Sequence, residues 1–249
     1  MKKTLILIAL VASIVSLHAA APPHKYIRII TPKGECLLKL YDETPLHRDN
    51  FAKLVQEGYY KDLLFHRVIH HFMIQGGDPT SRYAAEKQLL GGGGPEYTVP
   101  AEFKDSLFHK KGVIAAARDD NPEKASSGSQ FYLVQGRTFT DNGLDSLEQL
   151  RLSGRKIPAY QREIYKTLGG TPHLDQSYTV FGEVISGIAV IDSIAAVETD
   201  RYDRPVEDQR MDMVLLTRRE ALNLEREQAG LPPRNGIFTK FFDLFKPKY

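Results

Sequence analysis

The chain has 249 residues, 42% of them hydrophobic and 26% charged, which is enough to bury one real core and makes one main domain the default. Its 33 basic and 31 acidic residues leave a net charge of +2, so composition gives no electrostatic case for nucleic acid. A single cysteine, Cys36, excludes an internal disulfide framework and any cysteine-built zinc site.

In chain order, Lys2 and Lys3 precede an uncharged apolar run from Thr4 to Leu17, then Ala19-Ala20-Ala21 ahead of Pro22. This is the layout of a secretory signal peptide over 1–21, with cleavage expected near Ala20 and a bacterial periplasm as the destination. The run is shorter than the ~20 residues of a bilayer span, so a permanent anchor is the weaker reading. Lys25 to Ile30 and Glu35 to Tyr41 are β-rich runs around the turn composition Thr31-Pro32-Lys33-Gly34, which predicts a hairpin. Thr44 as a cap, Pro45 at the first position and Phe51, Leu54 and Val55 at helical spacing predict a helix over 45–57. Leu63 to Gln75 reads as a strand ending in a turn at Gly76-Gly77-Asp78-Pro79.

Residues 79–111 are loop-like, and the glycine run 91–94 reads as a flexible loop, without the Lys and Ser/Thr of a phosphate loop. Strands resume at 112–117, 130–135 and 178–184, a helix is expected over 189–196, and 211–217 would close the sheet. Many short strands and few helices make the chain all-β, a barrel or sandwich. Two segments look like additions. In 138–169 the spacing of Leu144, Leu147 and Leu150, then Tyr160, Ile164 and Leu168, predicts two short helices broken near Gly154. The extension 218–249 opens with a charged helix over 218–228 and ends in a tail where Phe238, Phe241, Phe242 and Phe245 share one helical face.

The densest signal is Phe65-His66-Arg67-Val68-Ile69-His70-His71-Phe72-Met73-Ile74-Gln75-Gly76-Gly77-Asp78. It is followed by Gly112-Val113-Ile114-Ala115-Ala116-Ala117 with Ser127-Gly128-Ser129-Gln130-Phe131-Tyr132, and by His173-Leu174-Asp175 with Val180-Phe181-Gly182-Glu183-Val184. In these blocks and their order the chain resembles the cyclophilins over about Tyr26 to Thr217.

The resemblance implies an isomerase domain over 25–217: a closed eight-stranded antiparallel barrel capped by two helices, with a proline-binding groove on its outer face. It also implies peptidyl-prolyl cis-trans isomerase activity on proline-containing, unfolded or flexible polypeptides; no cofactor is needed for that chemistry, and a monomer is expected. Carried over by position, Arg67 is the catalytic guanidinium, Phe72, Met73, Tyr132 and Leu174 line the proline pocket, Gln75 and Gln130 hydrogen-bond the substrate backbone, and Ala117 lines the adjoining groove. The chain departs from the family's usual pattern in four places. His173 stands where tryptophan is frequent, Tyr178 aligns with the pocket histidine and is kept as a pocket wall, Arg118 replaces a frequent asparagine, and His70-His71 replaces a Pro-Gly turn.

The chemistry fits those residue types. Amide resonance sets a rotation barrier of ~18–20 kcal/mol, and no nucleophile is needed to cross it. A dry apolar cup for the ring and a fixed, charged donor that favours the twisted amide suffice in kind. The rival from another class is a binding module that holds proline segments as a chaperone with little turnover. A hydrolase lacks a nucleophile elbow. Taken alone, Arg67 would be a solvated or salt-bridged strand residue and Phe72 and Met73 core residues; the agreement of three blocks reverses that. His66 and His70 are four apart, a spacing that converges on a helix and not on a strand, so no metal is expected. The 138–169 insertion is either surface decoration or a flank of the groove. The phenylalanine tail either packs back on the barrel or meets a membrane or protein surface.

Overall fold

The protein is described by a computed structural model over residues 24–233; the proposed signal peptide and the phenylalanine-bearing tail lie outside the described residues. The first two β-rich runs pair as β1 (Tyr26–Thr31) and β2 (Gly34–Leu40), joined through Pro32 and Lys33. Helix α1 (Pro45–Gln56) starts on Pro45, whose fixed φ suits a first turn. Thr44 precedes it as expected but makes no side-chain cap bond, and its buried Oγ1 has no partner.

The stretch read as one strand over 63–75 is two, β3 (Leu63–Ile69) and β4 (Met73–Gly76). The chain reverses between them because His71 adopts a left-handed φ of 62° and the Phe72 amide donates to the Ile69 carbonyl at 3.1 Å. Two short strands unforeseen in the sequence, β5 (Thr98–Val99) and β7 (Ser126–Ser127), pair with each other outside the barrel. The remaining barrel strands are β6 (Val113–Ala116), β8 (Phe131–Val134), β9 (Val180–Ser186) and β10 (Arg210–Leu215).

Eight strands close in the order β1-β10-β3-β4-β8-β6-β9-β2, each neighbour antiparallel, so no edge is left open. Alternation then sorts the side chains. Ile74 of β4, Ile114 and Ala116 of β6, and Phe131 and Leu133 of β8 enter the barrel core. Helix α1 adds Phe51, Leu54 and Val55, and α4 (Ala189–Ala195) adds Val190, Ile191 and Ile194. Burying each such side chain contributes about 1.5–3 kcal/mol, which is why these two short helices stay docked. The alternate residues Met73, Val113, Ala115, Tyr132 and Val134 form a second apolar cluster on the outer face.

The insertion carries helices α2 (Asp141–Leu150) and α3 (Ala159–Thr167) with a small core of its own around Phe108, Leu144, Ile157 and Tyr165. Glu148, 2% exposed, ties the two helices together by accepting from the Ile157 amide at 2.9 Å, Lys156 at 2.7 Å and Arg162 at 3.0 Å. At the neck, Gly136 packs against Gly170 so closely that a Cβ on Gly136 would stand 2.4 Å from the Gly170 Cα. Helix α5 (Arg218–Gln228) opens with a capping box between Thr217 and Glu220, and Glu225 accepts from the His24 amide at 2.9 Å, pinning the extension to the start of β1. No helix among the described residues is long and apolar enough to cross a membrane.

Candidate active site

A break in alternation aims Arg67. Leu63 and Phe65 point into the barrel, and strict period two would send residue 67 inward as well. Between Phe65 and Arg67 the β3–β4 register slips, with Phe65 opposite Gly76 but Arg67 opposite Gln75. His66 is the extra residue of this bulge, so Val68 becomes the next core residue and Arg67 turns outward.

The outward residues then line up across the sheet. Arg67 faces Gln75, Gln75 faces Tyr132, and Tyr132 faces Ala115, one row over β3, β4, β8 and β6. Beside this row a cleft of about 180 Å³ opens, with Arg67, Gln75 and Ala117 along it and Phe72, Met73, Tyr132, Leu174 and Tyr178 as its apolar walls. Tyr132 and Tyr178 meet edge to face at 6.0 Å. Arg118, noted from sequence only as a departure, also lines the cleft: its guanidinium lies 4.9 Å from the Tyr178 ring centroid and its Nε donates to the Ser177 carbonyl at 3.0 Å. The Arg–Tyr pair thus fixes the wall that replaces the pocket histidine.

Two of the expected residues are placed differently. The Gln130 amide nitrogen donates to the carbonyls of Gly91 and Gly93, both at 2.8 Å, and its Oε1 accepts from Gln75 at 3.1 Å. Its hydrogen-bonding capacity is turned on the protein itself, so in this state it positions Gln75 and the glycine loop. His173 stands outside the cleft, stacked on Phe72 at 5.5 Å between ring centroids, and backs that wall.

The glycine run read as a flexible loop is pinned. Asp78 accepts from the amides of Gly91 at 2.6 Å and Gly93 at 3.2 Å, while Gln130 holds their carbonyls. Burial works against the Asp78 carboxylate, yet these bonds and those from Thr80 hold its pKa below the ordinary range. Gly93 allows this approach, because a Cβ there would stand 2.2 Å from Asp78 Oδ1. The loop walls a second groove of about 260 Å³ that adjoins the cleft through Gln75, Ala117 and Arg118.

The family model described as "Cyclophilin type peptidyl-prolyl cis-trans isomerase/CLD" matches residues 26–214. The chain belongs to the cyclophilin family. A putative peptidyl-prolyl cis-trans isomerase of Staphylococcus aureus is 36% identical over 179 residues, 72% of this chain and 84% of that protein. A putative bifunctional phosphatase/peptidyl-prolyl cis-trans isomerase of Streptococcus pyogenes is 36% identical over 185 residues, but the match spans only 36% of its length. A crystal structure of a cyclophilin-type isomerase from Cryptosporidium parvum superposes with a TM-score of 0.58 at 23% identity, over 78% of this chain and 98% of that one, and shares the fold.

Behind the cleft this cyclophilin carries a buried relay that no sequence motif announced. Asp175 Oδ1 accepts from the backbone amide and the Nδ1–H of His109, both at 2.8 Å, which leaves Nε2 to accept from the Tyr132 hydroxyl at 2.9 Å. Tyr165 of α3 donates to Asp175 Oδ2 at 2.7 Å. Burial raises the pKa of the Tyr132 and Tyr165 hydroxyls, keeping both as neutral donors. The cleft floor is therefore bonded through His109 and Asp175 to the helical insertion. Tyr132 and Asp175 had a sequence signal, in the second and third blocks, whereas His109 and Tyr165, the partners of Asp175, lie 66 and 10 residues away from it along the chain and had none.

Proposed function

We propose that this cyclophilin accelerates cis/trans exchange of X–Pro bonds in unfolded or flexible segments of exported proteins, with Arg67 as the residue that favours the twisted amide. The observation that carries this is one cleft with apolar walls for a proline ring and a guanidinium aligned across the sheet with Gln75. As the amide twists, resonance is lost and the proline nitrogen regains its lone pair, to which a donor from Arg67 bonds. Such a donor is worth about 3–4 kcal/mol by analogy with oxyanion holes, and exclusion of water by Phe72, Met73 and Tyr132 strengthens it. The C. parvum protein has also been solved in the presence of the dipeptide Ala-Pro, which supports a proline-containing ligand.

Exchange NMR on a short X–Pro peptide tests the proposal. Wild type should accelerate exchange and Arg67→Ala should lose about 100-fold of that gain, the scale of one transition-state donor. Peptide binding without faster exchange would favour the non-catalytic, chaperone-like module instead. Export rests on the layout of residues 1–21 and is tested by cell fractionation with mass spectrometry of the amino terminus; an intact Met1 on cytoplasmic protein would refute it.

A further inference from the structure

A third hollow, of about 320 Å³, shares Phe72 with the proline cleft and has His173 beside it. The insertion builds its outer wall, where α2 presents Leu147 and Leu150, the latter 82% exposed although it belongs to the helix's apolar spacing. Arg137 and Arg151 also line it. Arg137 rests over the Phe139 ring at 5.1 Å, and among the described residues neither arginine is in an ion pair. Burial above all keeps His173 toward its neutral form, with Arg151 and Arg137 adding to that effect and Asp175 opposing it. Thr171 also lines the hollow; it is 2% exposed, and its Oγ1, enclosed by protein, has no hydrogen-bond partner. Two arginines without an ion pair beside the apolar wall of Phe72, Leu147 and Leu150 fit a carboxylate on an aliphatic stem.

We propose that this hollow is a substrate subsite, taking a Glu or Asp side chain of the polypeptide whose proline occupies the cleft, with Arg137 and Arg151 selecting it. The inference rests on the isomerase reading. Phe72 and His173 are stacked at 5.5 Å, so the hollow begins one ring beyond the proline. At ~3.3 Å per extended residue, the acidic residue falls about two or three positions from the proline. The insertion then sets sequence preference as well as supporting the cleft floor.

Peptides with an Ala-Pro core and Glu, Ala or Lys two or three positions away on either side test this, with rates by exchange NMR and affinities from the same titrations. Wild type should favour Glu over Lys about fivefold at one of these positions. That ratio should shrink toward one as salt rises to about 0.5 M. Arg137→Glu combined with Arg151→Glu should invert it in favour of Lys, and the wild-type salt series stands even if that variant fails to fold. Equal rates and affinities for Glu and Lys peptides at every position would overturn the subsite while leaving the isomerase reading intact. If no peptide is accelerated, the isomerase reading fails, and the Glu-to-Lys affinity ratio still decides whether the hollow selects acid.

Discussion

Asp203 Oδ2 stands 3.4 Å from the Nε of Arg67, so the guanidinium at the edge of the proline cleft is held by a carboxylate from the loop that precedes β10. The Asp203 backbone is fixed in turn, because its carbonyl accepts from the Val68 amide at 2.8 Å. Both side chains are nearly half exposed, 44% for Arg67 and 43% for Asp203, so the contact aims the arginine without adding much stability. Asp203→Asn is expected to lower kcat/KM by about two- to fivefold while shifting unfolding free energy by less than about 0.5 kcal/mol. Exchange NMR beside denaturant titration checks both; unchanged kcat/KM would show that Asp203 does not position Arg67.

Tyr165 is the insertion's bond to the buried relay, through Asp175 at 2.7 Å. Tyr165→Phe keeps the ring and leaves Asp175 Oδ2 short of a donor in a site that is 4% exposed, at an expected cost of about 1–3 kcal/mol in a denaturant titration. Because the relay ends on Tyr132, kcat/KM for a short X–Pro peptide should fall too. Loss of stability alone would mean that the relay only supports the insertion.

His66 sets a pH dependence. It is 4% exposed with neither ring nitrogen hydrogen-bonded, and burial lowers its pKa from the ordinary 6.5 to about 4, against the pull of Asp78. Between these values the unfolded chain binds the proton and the folded protein does not, so stability falls as pH drops from 6.5 toward 4, by about 3 kcal/mol from this group. Denaturant midpoints across that window should show the loss, and His66→Gln should flatten it. An equally steep curve in that variant would assign the effect to other groups.

Cys36 is 3% exposed, and burial pushes its thiol pKa up to about 12. The thiolate that reagents attack is therefore scarce as well as enclosed. Labelling by a thiol reagent is expected only through unfolding, at a rate that rises with denaturant. Fast labelling of the native protein would contradict the packing of β2 on the core.

Much of this protein was legible in order along the chain. The β1–β2 hairpin, α1, α4, both helices of the insertion and α5 follow from periodicity, Pro45 and the glycine breaks, all properties of neighbours in sequence. The three motif blocks held seven of the nine residues that line the cleft, Arg118 and Tyr178 lying outside them, and the family resemblance they carry implied the eight-stranded barrel. Where the readings went astray, the deciding contact was remote. The run 63–75 looked continuous because His70-His71, standing where the family has a Pro-Gly turn, carries neither residue; the pairing of β3 with β4 shows the reversal. The loop at 91–94 looked flexible because its anchors, Asp78 and Gln130, lie 13 to 39 residues away.

The sequence by itself determined which residues are apolar, where the chain can turn and which side chains could serve a proline ring, since these depend on local chemistry. Only the tertiary structure decided that Arg67 faces the cleft, that Gln130 is spent on the glycine loop, and that Tyr132 is bonded through His109 and Asp175 to the insertion. The physical reason is closure. A single slipped residue at His66 changes the face of everything after it in β3, and which distant polar groups meet is settled only when eight strands shut into one barrel.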